Sequence, residues 1–210
     1  MMPDLASSIL AVARVAALGA LLTTGAHAIA QPAAAVAPPD LPAPTLAVGN
    51  DPVAPVPALD VPRYMGKWYE IAHLPNWFQK KCVDSTHAEY TLQPNGRVQV
   101  VNRCRLASGE MNEAVGEVRQ VGEGGATSPR LKVRFAPEWL SFLPMVWGDY
   151  WVLDLDADYQ LVAVGEPTRE YLWVLARTPR VSPEAYVALL QRLAQQGFNV
   201  GLLQRTAHPQ

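Results

Sequence analysis

Cysteine is nearly missing from this sequence: Cys82 and Cys104 are the only two in 210 residues. That excludes the disulfide-dense scaffolds, and with no C-x-x-C spacing there is no zinc cluster or dithiol redox motif. Charge of one sign is missing too. Seventeen Lys and Arg against nineteen Asp and Glu leave a net charge of -2, too small a field to draw the chain to nucleic acid or an anionic surface. The apolar run VAALGALLTTGAHA after Arg14 is too short to span a bilayer.

What that run does fit is export. The run ends in small residues, with Ala26 and Ala28, or Ala28 and Ala30, suiting an A-x-A cleavage site, so residues 1–30 read as a signal peptide. With no cysteine near that site to carry a lipid, the mature protein is expected to be soluble, periplasmic or secreted. In that oxidising compartment an isolated cysteine pair is expected to close as a disulfide. Residues 31–60 are rich in Ala and Pro and hold no Lys or Arg, a composition that cannot bury a core, so they read as a disordered linker. The remaining residues, 61–206, suffice for one well-buried domain.

Within the domain the hydrophobic period is two. Trp68, Glu70, Ala72 and Leu74 alternate with Lys67, Tyr69, Ile71 and His73; Thr86, Ala88 and Tyr90 lead into a QPNG turn and then Val98, Val100 and Asn102. Ala114, Gly116 and Val118 continue the pattern, as do Leu131, Val133 and Phe135, and then DYWVLDLD, QLVAVG and YLWVLAR. Eight strands joined by short turns predict an all-β, antiparallel up-and-down barrel. The first, sixth and eighth strands are apolar on both faces and need a cover. SPEAYVALLQRLAQQGF supplies it: Ser182 caps, Pro183 opens, Tyr186, Leu189, Leu190 and Leu193 form one apolar stripe, and Gly197 stops a C-terminal helix packed outside the barrel.

These residues resemble the lipocalin family, most of all its bacterial outer-membrane lipocalin and apolipoprotein D branch. Gly66-Lys67-Trp68 is similar to the family's G-x-W at the start of the first strand. Asp156 and Tyr159 loosely resemble its T-D-Y motif, with Leu155 where Thr is usual and Ala-Asp inserted, and Arg177 resembles the basic residue ending the eighth strand. The resemblance implies a calyx in which Gly66, Trp68, Asp156, Tyr159 and Arg177 have a structural role, Trp68 plugging the floor with Arg177 stacked on its face.

If Trp68 faces inward, parity assigns the cavity lining to Ala72, Ala88, Tyr90, Val98, Val100, Asn102, Ala114, Gly116, Val118, Leu131, Val133, Phe135, Tyr150, Val152, Tyr171, Trp173 and Leu175. The small residues among them leave room for a ligand, and the charges left inside, Glu70, Asp154 and Arg177, are expected near the floor. The expected occupant is a fatty acid, lysophospholipid or similar amphiphile with its polar head near the mouth. There Trp77, Phe78, Trp139, Leu140, Phe142 and Leu143 surround the entrance beside Lys80 and Lys81, which suits transient contact with a membrane. Those aromatics folded inward as a lid, or used to meet a partner or a second copy in a homodimer, are the alternatives. A bridge between Cys82 and Cys104 requires the first mouth loop to fold back, because the hairpin register misses direct opposition. Enzymatic chemistry is the weakest reading, since parity turns His73 and His87 outward and Cys104 lacks a base; no cofactor or metal is implied.

Overall fold

The computed structural model describes residues 51–209. The expected signal peptide and the linker up to residue 50 lie outside the described residues. After a one-turn helix, α1 (Val61–Tyr64), come β1 (Gly66–His73), β2 (Cys82–Leu92), β3 (Val98–Leu106), β4 (Met111–Gln120), β5 (Arg130–Arg134), β6 (Gly148–Leu155), β7 (Leu161–Gly165) and β8 (Leu172–Ala176). Each pairs antiparallel with the next, and β8 pairs with β1, which pairs with β2, so the sheet closes. Closure removes the free edges that an open sheet would expose. The helix α2 (Pro183–Gln195) follows, and a short strand β9 (Gln204–Arg205) joins the outer end of β1.

Two apolar clusters hold the molecule. Inside the barrel Trp68, Ala88, Tyr90, Val98, Val100, Val118, Leu131, Val152 and Leu175 pack with Val162 and Val164 of β7. Outside it, Leu189 and Leu193 of α2 cover Ile71, Leu153, Ala163, Leu172, Val174 and Ala176. This is why β1, β6 and β8 are apolar on both faces; fully burying each leucine stabilises by about 1.5–3 kcal/mol. The helix begins as its sequence dictates: the Ser182 side chain accepts a hydrogen bond from the Ala185 amide at 3.1 Å, Pro183 needs no amide partner, and Gly197 takes φ 83° just past the end. Gly165 lets helix and sheet close up, for a Cβ there would lie 2.8 Å from Leu153 Cδ1 and 3.0 Å from the Tyr171 carbonyl.

Residues 51–60, expected in the linker, are packed instead. Leu59 is fully buried in the inner cluster, Val53 joins the outer one, and the Val56 amide donates to the Val152 carbonyl at 2.9 Å. Polar, proline-rich surroundings hide two apolar anchors whose burial depends on a barrel far along the chain.

Three strands carry register shifts that strict alternation cannot foresee. On β1, Glu70 faces Leu175 but Ala72 faces Val174, so one residue is extruded between them. Ala72, expected in the cavity, therefore packs in the outer cluster, and His73, expected outward, lies opposite Trp173. On β6 the shift after Val152 turns Asp154 out of the barrel, where Arg192 of α2 donates to it twice, at 2.6 and 3.0 Å. On β2 two shifts, around Asp84, bring Cys82 opposite Leu106 and within a 5.5 Å Cα separation of Cys104. The disulfide forms, through bulges in the strand rather than through a folded-back loop.

Candidate functional site

The floor is a packed assembly. Gly66 sits at φ 91°, which a residue with a Cβ resists, and this turn drops Trp68 into the axis with no exposure at all. Its indole N–H donates to the Tyr64 carbonyl at 2.8 Å, and the Arg177 guanidinium lies 3.9 Å from the indole centroid. That stacking contributes about 0.5–2 kcal/mol. Arg177 also donates to the carbonyls of Lys67, Arg63 and Tyr159, knitting both ends of the sheet together. Asp156 caps its own turn by accepting from the amides of Asp158, Gln160 and Leu161, and Tyr159 stacks under Arg63 at 4.0 Å. All five motif residues thus sit at the closed end, though Asp156 acts on its own turn and not on Trp68.

Above the floor the interior divides in two. The lower half is filled: Val98, Val100, Val118, Leu131 and Val152 are buried, together with Leu59, Val61, Tyr64, Val162 and Val164, which parity over the expected lining had missed. Tyr64 and Leu59 come from the segment before the first strand, where no period marks them; Val162 and Val164 could have been found from the alternation of QLVAVG. At the top of this layer the Tyr150 hydroxyl shares hydrogen bonds with Tyr64 at 2.7 Å and Tyr90 at 2.8 Å. Burial favours the neutral phenol, pushing Tyr64 and Tyr150 well above the ordinary tyrosine value and Tyr90 up to about 12.

In the upper half the inward side chains still reach solvent. Asn102, Ala114, Gly116, Val133, Tyr150, Tyr171 and Trp173 are partly exposed, and Phe135 more so. Register places Ala88, Asn102 and Ala114 side by side, as it does Tyr90, Val100 and Gly116. The space above Gly116 is taken by the Phe135 ring, 2.8 Å from where a Cβ would stand, so that glycine admits a neighbouring aromatic and not a ligand.

The rim residues separate into two groups. Phe78 turns in, its centroid 5.8 Å from Tyr171 and 6.2 Å from Trp173, and Leu140 and Leu143 are partly covered. Trp77, Trp139 and Phe142 stay out, and Met145 joins them. Behind them Trp147, passed over in the sequence, anchors the β5–β6 loop to the outer wall: its indole donates to the Ser141 carbonyl at 2.8 Å and lies between Arg119 and Arg134.

Beside the calyx mouth lies a cleft of about 520 Å³ between the β1–β2 loop and the C-terminal tail. Glu70 and His73 form its inner wall. Glu70, only 3% exposed, accepts from Gln79 Nε2 at 2.7 Å and Thr206 Oγ1 at 2.5 Å, and His73 Nδ1 approaches it to 2.9 Å at an angle short of a hydrogen bond. Gln79 Oε1 in turn accepts from Trp173 and Asn76, linking cleft and calyx. Glu70 is therefore in the mouth half and not at the floor.

An eight-stranded up-and-down barrel, stoppered at one end by an indole and open at the other, is the architecture of a calyx protein. Known proteins agree. The lipocalin-like domain family matches residues 59–208. Temperature-induced lipocalin-1 of Arabidopsis thaliana is 40% identical over 72% of this chain and 80% of its own length, and the outer membrane lipoprotein Blc of Citrobacter freundii is 34% identical over 69% and 76%. Among solved structures, insecticyanin of Manduca sexta superposes with a TM-score of 0.58 at 16% identity, covering 75% of this chain and 85% of that one, a likeness of fold alone. This chain belongs to the lipocalin family.

Proposed function

We propose that the protein is a carrier or store for one small amphiphile, a fatty acid, lysophospholipid or similar molecule, whose hydrocarbon chain lies in the upper calyx. One observation carries this reading: inward-facing Val133, Tyr150, Tyr171 and Trp173 remain partly exposed directly above a layer sealed by Val100, Val118 and Val152. Apolar surface held open in a concave site is what an apolar ligand covers. The filled lower half makes the site shallower than the full lining list implies, so a chain rests on the tyrosine layer instead of reaching Trp68. Export to the periplasm or beyond, with transient membrane contact through the exposed rim, accords with the composition of residues 1–30 and with the outer membrane lipoproteins among the relatives. A role in binding and not catalysis accords with the same apolar lining.

Native mass spectrometry of the full chain taken gently from cells tests the proposal. A co-purified amphiphile, lost after organic extraction, is the expected result; an empty homodimer would favour the rim as a partner surface and sink the carrier reading.

A further inference from the structure

The cleft beside the mouth holds a buried carboxylate whose one ion-pair contact among the described residues is a histidine. Glu70 is a carboxylate with 3% exposure, and its close partners are the neutral Gln79 amide, the Thr206 hydroxyl and the imidazole of His73. Among the described residues no Lys or Arg lies within ion-pair distance of it. The cations that line the cleft are engaged or outward: Arg205 stacks on Tyr186 at 4.3 Å, and Lys80 is exposed. The other carboxylate of the cleft, Asp84, is already neutralised by a two-pronged contact from Arg105 at 2.6 and 2.8 Å. A buried carboxylate held by an amide, a hydroxyl and one imidazole, with no Lys or Arg beside it, is a place where a cation arriving from the open cleft gains a partner.

We propose that this cleft receives a positively charged, ammonium-type head group, with Glu70 as its counter-ion and the Trp77 ring as a cation-π wall. The proposal rests on the carrier reading and narrows it: the preferred amphiphile is one whose head carries a positive charge, and its chain passes Gln79 into the calyx beside Trp173. A bare fatty acid meets the same carboxylate as a like charge. The β1 bulge brings His73 to the cleft wall beside Glu70.

The test compares three probes of equal chain length, dodecyltrimethylammonium, dodecanol and dodecanoate, titrated calorimetrically into the full chain below micelle-forming concentrations. The ammonium is expected to bind at least about tenfold tighter than the alcohol, with dodecanoate weakest. Glu70→Gln, checked by circular dichroism, is expected to bring the ammonium down to the alcohol's affinity. The wild-type ranking stands as a test even if the variant does not fold. Alcohol binding without an ammonium preference, or a preference that survives in Glu70→Gln, overturns the head-group site and leaves the carrier reading intact. Failure of all three probes to bind overturns both.

Discussion

Three phenols meeting at one point inside a barrel have a consequence for stability against pH. Tyr90 has its value pushed up to about 12 by burial, whereas in the unfolded chain it titrates near 10, the ordinary tyrosine value. Between those values the folded state keeps a proton that the unfolded state has lost, so stability is complete below pH of about 10 and falls as pH rises toward the folded value. Tyr90 alone contributes on the order of 2–3 kcal/mol to that loss, and Tyr64 and Tyr150, raised by the same cause, act in the same direction. Tyrosinate absorbance followed with far-ultraviolet circular dichroism should show these three of the seven tyrosines silent until the barrel unfolds cooperatively. Smooth titration of all seven in a folded barrel would show that the layer is open to water.

The C-terminal tail behaves as a stave in the barrel. Over its outer half β1 has parted from β2, because their pairing ends at Tyr69 and His87. The tail fills the gap: the Thr206 amide donates to the Ile71 carbonyl at 3.1 Å, the Ser85 amide to the Ala207 carbonyl at 2.8 Å, and His208 Nε2 meets the Glu70 carbonyl oxygen at 2.7 Å. Ending the chain after Leu203 should cost about 1–3 kcal/mol in urea unfolding, since backbone groups and a buried carboxylate lose partners together. Unchanged stability would mean that β1 and β2 re-pair without it. The sequence marks the domain as ending near 206 but contains no sign of this role. A tail of two paired residues has no period, and the gap it fills exists only where β1 and β2 part after Tyr69 and His87. The helix α2 was legible for the opposite reason: cap, stripe and stop are all local.

On the scale of the whole protein, a nearly neutral surface is interrupted at one end by a greasy rim. Trp139 and Phe142 are 72% and 76% exposed and Met145 86%, all on the loop that Trp147 pins to the wall. Because these tips bury little, replacing Trp139 and Phe142 together by alanine should slow lipid uptake from vesicles several-fold while leaving the melting temperature within about 2 °C. A large fall in melting temperature would instead make the rim part of the core. Phe78, folded against Tyr171 and Trp173, fits the lid reading of the mouth, while Trp139 and Phe142 are the side chains on which this experiment tests membrane contact.

Composition, alternation and a few spaced residues determined a great deal about this protein by themselves: eight strands, a covering helix, the indole floor, the arginine against it and the paired cysteines. Each depends on contacts that recur with a local period or a short motif. What only the tertiary structure decided is which way particular side chains point after a bulge, how much of the interior is filled, and what closes the sheet. Ala72 went out, His73 came in and Asp154 left the barrel because one extra residue in a strand reverses every position after it. The shift is visible only in the pairing with the neighbouring strand, which no local pattern records. Leu59 and Tyr64 filled the lower calyx for a similar reason: a buried place exists for them only once the distant strands have closed around it.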